Sequence, residues 1–202
     1  APPAQALDAA LELLRSSRRP VIIVGHGARF EMDTIIELAE LMQCPVITTF
    51  KGKGLISDRH PQGCGVLGRS GTPVASHFMN ESDALLVFGS SFSNHTGITP
   101  KRPTIQVDHD PVTLGKFHAV KVPVLGEIGV TAKLLGEQLR ARGGAWENRL
   151  PEIAERWSIW RAEKASREED DRGKGVSSAS IFASLSRVCP PEAVIAVDVG
   201  NN

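Results

Sequence analysis

Hydrophobic and polar positions along the chain alternate between two periods. Leu7, Leu11 and Leu14 fall at i, i+4 and i+7, which predicts an amphipathic helix over residues 4–17 that stops before Pro20. The apolar run 21–24 then reads as a short strand delivering the chain to Gly25, His26, Gly27 and Ala28. A second helix, capped by Asp33 or Thr34, is predicted to run through Met42 with Ile35, Ile36, Leu38, Ala39 and Met42 on its buried side. Residues 45–49 form the next predicted strand. A helix over 73–80, strands over 84–88, 104–107 and 120–125, and a helix over 130–142 follow in the same alternation.

Continuous β-branched runs bounded by Gly or Pro and separated by helices are the pattern of a parallel sheet covered on both faces. Right-handed crossovers make it an α/β, doubly wound, mostly parallel Rossmann-like sheet. No internal repeat interrupts it. The expected organisation is a central domain over 1–142, a helical and charged linker over 143–175, and an incomplete second α/β domain over 176–202. The linker begins with a helix led by Pro151, whose Ile153, Trp157 and Trp160 share one face read as packing against a neighbouring domain. It ends in the charge run Glu168, Glu169, Asp170, Asp171, Arg172 before Gly173, a solvated, flexible joint. The apolar run Ala193, Val194, Ile195, Ala196, Val197 reads as a buried strand turning through Asp198, Val199 and Gly200. A helix would normally follow such a turn, so the sequence is expected to be a piece of a longer protein.

Composition narrows the partners. Lys and Arg number 23 and Asp and Glu also 23, so no one-signed field is built for nucleic acid or a membrane surface. No apolar stretch reaches the roughly 18 residues of a membrane-spanning helix, and residues 1–20 lack the apolar core of a secretion signal. Cys44, Cys64 and Cys189 are odd in number, far apart and outside any CxxC spacing, which argues against a disulfide framework or a zinc site. A cytoplasmic location is expected.

Candidate chemistry lies where strands end and helices begin, the crevice side of an open parallel sheet. Gly25-x-Gly27 resembles a dinucleotide fingerprint but has Phe30 in place of a third glycine. The second strand ends in Thr48, Thr49, Phe50 and Lys51, with no acid for a ribose hydroxyl, which disfavours a nicotinamide-dependent dehydrogenase. His60-Pro61 is followed by Gly63, Gly65, Gly68 and Gly71, and then by Thr72-Pro73, an N-cap and a first-turn proline. This run reads either as a loop that lets the backbone approach a bound group or as a turn using glycine for its conformation alone. Gly89-Ser90-Ser91-Phe92 and Asp108-His109-Asp110-Pro111 close the next two strands, so three polar strand ends line one crevice. Lys51-Gly52-Lys53-Gly54 lacks the leading glycine and terminal hydroxyl of a phosphate loop. His60 and Cys64 have no third ligand at metal-site spacing. His26, His77, His109 and His118 read as surface or singly bonded residues.

In order along the chain, these motifs resemble the central domain of thiamine-diphosphate-dependent enzymes of the acetolactate synthase and pyruvate oxidase group. The motifs are His60-Pro61 with glycines to Gly71-Thr72, Ser82-Asp83-Ala84-Leu85-Leu86, Gly89-x-x-Phe92, Gln106-Val107-Asp108-x-Asp110-Pro111 and Gly115. The likeness covers about residues 4–142, and residues 176–200 resemble the opening of that family's diphosphate-binding domain.

The resemblance implies a whole enzyme that uses thiamine diphosphate and Mg²⁺ to decarboxylate a 2-oxo acid such as pyruvate, as a homodimer or homotetramer, with carbanion stabilisation supplied by the cofactor. It places the catalytic glutamate upstream of Ala1 and the metal motif downstream of Asn202. No catalytic or metal residue therefore falls within these 202 positions, and the chain alone is expected to be inactive. Gly200 and Asn201 match a turn that touches the thiamine diphosphate. A flavin pattern carried over to this sequence uses Gly65, Leu67, Gly68, Gly71, Gly89, Phe92, Asp108 and Asp110. It reaches position 95, where family flavin binders carry arginine and this chain has His95, a weaker diphosphate anchor. Whether FAD, ADP or nothing occupies the central domain stays open. The alternative is a stand-alone nucleotide module like the FAD domain of electron-transfer flavoproteins.

Overall fold

The apolar runs become strands and the amphipathic stretches become helices packed on them. The computed structural model describes residues 1–168, 173, 175–190 and 192–196, which fall into two compact units, Ala1–Trp157 and Ser158–Asn202. The first unit holds β1 (Pro20–Val24), β2 (Val46–Thr48), β3 (Gly63–Val66), β4 (Ala84–Phe88), β5 (Thr104–Asp108) and β6 (Val122–Leu125). Its helices are α1 (Ala4–Ser16), α2 (Met32–Met42), α3 (Pro73–Asn80) and α4 (Ile128–Arg142); α5 (Leu150–Glu168) and α6 (Ser178–Val188) come later. The strands form one sheet in the order β3-β2-β1-β4-β5-β6, and every pairing is parallel. This is the expected α/β doubly wound architecture. The chain starts mid-sheet, winds outward one way, returns beside β1 as β4 and winds out the other way, and that reversal opens a crevice at the strands' carboxyl ends.

Burial on both faces explains why the sequences of the two central strands, β1 and β4, are unbroken apolar strings. β1 and β4 are buried at all five positions each, and a fully buried Val, Leu or Ile contributes about 1.5–3 kcal/mol. Alternate residues serve opposite faces. Ile22, Val24, Leu86, Phe88, Ile105 and Val107 pack with the buried sides of α1, α2 and α4. The other face is covered by α3 and the start of α5, where Phe78, Ile153 and Trp157 are buried.

Several sequence expectations are corrected. The glycine run is not all loop: residues 63–66 pair with β2 as an edge strand, with a register shift opposite Val46–Thr48. Two glycines in four residues hide a strand from any propensity reading, yet burial against α3 and β2 stabilises it. α2 begins at Met32, with Glu31 before it and no side-chain cap, so neither Asp33 nor Thr34 caps it. β6 starts at Val122 and α4 at Ile128, where the Glu127 carboxylate accepts the N–H groups of Gly129 and Val130. The packing role expected for Trp157 of the linker is met: it is buried against the sheet domain, its indole Nε1 donating to the Gly63 carbonyl at 2.7 Å. That compact unit runs past residue 142 because Arg149, Ile153 and Trp157 lie in its interior. Residues 193–196 form no strand, and Val194 is 97% exposed; no ladder partner pairs with them among the described residues. Most of the charge run, 169–172, lies outside the described residues. In the second unit, the Ser177 hydroxyl caps α6 by accepting the Ser180 N–H, and no residue of α6 is buried.

The sheet's amino-terminal edge carries an ionic cluster. Arg149 is 2% exposed, donates from Nε to Glu152 Oε2 at 2.7 Å, and lies over the Phe78 ring at 4.9 Å. His77 Nε2 meets Glu152 Oε1 at 2.7 Å, and Arg19 reaches the same carboxylate at 3.3 Å. Burial alone would raise the Glu152 carboxyl, but hydrogen bonds from Arg149 and His77, with the charges of Arg149 and Arg19, outweigh it and bring the group down to about 2.

The thiols behave differently from one another. Burial pushes Cys44 up to about 12 and Cys64 well above the ordinary thiol range, whereas Cys189 is partly exposed. Thiolate is the reactive form. Titration of the native chain with a chromogenic disulfide at pH 8 is therefore expected to release one equivalent quickly, from Cys189, and two more only on denaturation. Two or more fast equivalents would mean that the β2–β3 edge opens.

Candidate functional site

Five strand ends supply the crevice, and glycine lets the two central ones touch. Gly25 donates its N–H to the Phe88 carbonyl at 2.8 Å and Gly27 donates to the Gly89 carbonyl at 3.0 Å. A Cβ on Gly25 would stand 2.2 Å from the Gly89 oxygen, so the ends of β1 and β4 pack backbone on backbone. The Gly25-x-Gly27 pair therefore closes the crevice floor; Phe30, in the third-glycine position, is 79% exposed.

On the β3 side, Gly65 lies within the strand at φ +78°, and its carbonyl accepts from Thr48 Oγ1 at 3.1 Å. Leu67 is buried and donates its N–H to the Thr48 carbonyl at 2.8 Å, so it presents only backbone to the crevice. Gly68 and Gly71 close a tight turn through Gly71 N–H to Gly68 O at 2.9 Å. A Cβ on Gly68 would meet the His95 carbonyl at 2.6 Å, so this turn packs against the loop after β4. These glycines are spent on chain packing, and the open groups are N–H donors: those of Gly68, Ser70, Ser90 and Ser91 have no acceptor among the described residues.

After β4, Gly89 takes φ +57° and Phe92 φ +53°, a conformation uncommon for a bulky residue and one found at functional sites. Phe92 is buried with its ring edge against His118, centroids 5.1 Å apart, and the buried His118 Nε2 has no hydrogen-bond partner. His95 is exposed, and its carbonyl accepts the Arg69 N–H at 3.4 Å. After β5, Asp108 Oδ1 accepts the Asp110 N–H at 3.0 Å and Asp110 Oδ1 accepts the Val112 N–H at 2.9 Å, leaving the second oxygen of Asp110 without a protein partner among the described residues.

The predicted residues thus share one edge but not one point. From the β3 end to the β5 end is four inter-strand steps of about 4.8 Å, about 19 Å in all. Lys51 and Arg69 stand at one end, Asp108 and Asp110 at the other. Sequence reasoning passed over Arg69, whose signal was a cation embedded in the glycine run, and weighed Lys51 only within Lys51-Gly52-Lys53-Gly54, a stretch without the phosphate-loop pattern. It also passed over the Arg149–Glu152 pair, whose i, i+3 spacing at a helix start was visible. Gly200 and Asn201 lie outside the described residues. Among the described residues no three His, Cys, Asp or Glu side chains group to hold a metal, and no helix is long and apolar enough to cross a membrane. A cavity of about 280 Å³ between α2 and α4, lined by Thr34, Leu38, Lys133 and Glu137 among others, lies in the helical layer, away from the strand ends.

Residues 7–135 match the family model described as thiamine pyrophosphate enzyme, central domain. The chain belongs to this family. Among curated relatives, the sulfoacetaldehyde acetyltransferase of Rhodobacter capsulatus is 33% identical over 229 residues, covering 100% of this chain and 39% of its own length. The acetolactate synthase large subunit of Parasynechococcus marenigrum is 32% identical over 166 residues, 76% of this chain and 27% of its own. The pyruvate oxidase of Lactiplantibacillus plantarum is 26% identical over 205 residues, 99% of this chain and 33% of its own. The chain thus spans about a third of the length of these relatives. An X-ray structure from Mycobacterium smegmatis, described as that of a thiamin diphosphate-dependent enzyme, shares the fold at a TM-score of 0.57 and 20% identity, over 68% of this chain and 28% of that one.

Proposed function

We propose that the chain serves as the nucleotide-binding middle section of a thiamine-diphosphate-dependent enzyme acting on a 2-oxo acid such as pyruvate. In this reading its carboxyl edge holds FAD or ADP across the β1–β4 crevice. Support comes from one observation above others: the strand order reverses between β1 and β4, and in the loop after β4 the N–H groups of Ser90 and Ser91 have no acceptor among the described residues, with cations at one end of the sheet edge and carboxylates at the other. A diphosphate suits the donors and cations, and a ribose hydroxyl suits the free oxygen of Asp110. Phe92, held by His118, fixes the loop that carries Ser90 and Ser91. Family membership favours this reading over a stand-alone module of the electron-transfer flavoprotein kind.

Thiamine diphosphate, when bound in the whole enzyme with Mg²⁺, supplies carbanion stabilisation for the 2-oxo acid. This chain's own residues bind and orient the nucleotide and supply the scaffold. A cytoplasmic homodimer or homotetramer, and inactivity of the 202 residues alone, belong to the same reading. The 33% identity across the whole chain to the sulfoacetaldehyde acetyltransferase favours a second substrate reading, acetyl transfer starting from that aldehyde. Titrating the chain calorimetrically with ADP and FAD is expected to show micromolar binding of at least one, about 8 kcal/mol. No heat at millimolar ligand would remove the nucleotide site.

A further inference from the structure

Arg69 stands at the tip of the turn joining β3 to α3, one backbone hydrogen bond from the loop that follows β4. Its side chain is exposed and has no ion pair, hydrogen bond or ring contact among the described residues. The guanidinium after β1, that of Arg29, is engaged: it donates to the His26 carbonyl at 3.2 Å and lies over the Phe30 ring at 4.3 Å. The N–H groups of Gly68 and Ser70, flanking Arg69, also lack acceptors among the described residues. A free guanidinium set among free N–H groups is an arrangement for an anion with several oxygens.

We propose that Arg69 is the residue that grips the diphosphate of the nucleotide in the crevice, an assignment that rests on the nucleotide reading above. A guanidinium can hold two phosphate oxygens at once, which an ammonium cannot. Lys51, at the end of β2 and also exposed, adds a point charge to the same side of the crevice. Asp108 and Asp110 repel a diphosphate from the far end, so the polarity of the edge fixes which way round the ligand lies.

The test compares ADP with adenosine by calorimetry on the 202-residue chain, on Arg69→Ala, on Arg69→Lys and on Lys51→Ala, each checked for an unchanged thermal midpoint. ADP is expected to bind tighter than adenosine to the unaltered chain. Arg69→Ala should weaken ADP about tenfold to a hundredfold with adenosine unaffected, Arg69→Lys should recover part of the loss, and Lys51→Ala should have the smaller effect. If Arg69→Ala binds ADP as tightly as the unaltered chain, or Lys51→Ala alone abolishes the preference for ADP, the assignment to Arg69 is overturned while the nucleotide site stands. If the unaltered chain binds neither ligand, the nucleotide reading falls and takes the assignment with it.

Discussion

Gly25→Ala is expected to destabilise the first compact unit by about 3 kcal/mol, the upper part of the range for overpacking. The added methyl would sit 2.2 Å from the Gly89 carbonyl oxygen and 2.6 Å from the Ser90 Cα. Both are backbone atoms of the neighbouring central strand end, so no rotamer change relieves the clash. The strands must part, and the hydrogen bonds from Gly25 to Phe88 and from Gly27 to Gly89 weaken with them. At about 2–4 °C per kcal/mol for a unit of this size, the thermal midpoint should fall by about 6–12 °C. Gly54→Ala is the control. Gly25 is extended, at φ −102°, whereas Gly54 has positive φ, +87°, with nothing within 4 Å of its Cβ position, so at Gly54 only conformational strain of about 1 kcal/mol applies. Equal midpoint shifts for the two variants, read by circular dichroism, would show that β1 and β4 do not touch at their ends.

Glu152→Ala should cost about as much, roughly 3 kcal/mol, because removing one partner of a buried pair strands the other. Arg149 is 2% exposed and its two Nη atoms already lack hydrogen-bond partners, so the Glu152 carboxylate is the main group offsetting its charge. Replacing the arginine itself with an apolar side chain of similar length, Arg149→Met, removes the buried charge and should cost less than Glu152→Ala. The pair also sets an acid limit. The Glu152 carboxyl is held at about 2, below its ordinary 4.5, so the folded form favours the ionised state. The stabilisation is present in full above about pH 4.5, declines as the pH falls from there, and is gone below about 2. Urea unfolding at pH 6 and pH 3 should show a larger loss for the unaltered chain than for Glu152→Gln. A parallel pH dependence in both would dissociate Glu152 from acid stability.

Period and punctuation made most of the sheet legible. β1 and β4 are continuous apolar runs buried on both faces, and α1 carries a clean i, i+4, i+7 stripe, so local pattern and tertiary burial agree. β3 escaped because Gly63 and Gly65 have no intrinsic strand preference, and only pairing to β2 orders them. Thr72-Pro73 foretold the start of α3 because a cap is a local device, whereas α2 has no such device and its start was misplaced. The crevice edge was legible as a set of strand ends. What each residue does there was not: the glycines contact other backbone, and Arg69 stands out only once the chain has brought residue 95 beside residue 68.

The pairing of β1 with β4, Ile22 beside Leu86, has a consequence for biogenesis. Emerging from the ribosome, β1 can find β2 early but keeps its other edge bare until the fourth strand has been synthesised. Parallel pairing between segments so remote in the chain is slow to nucleate, and a bare apolar edge invites wrong partners meanwhile. Refolding at high concentration should therefore divert material into aggregates before residue 88 reaches its place, and the yield should rise on dilution or with a chaperone that shields the nascent amino-terminal half.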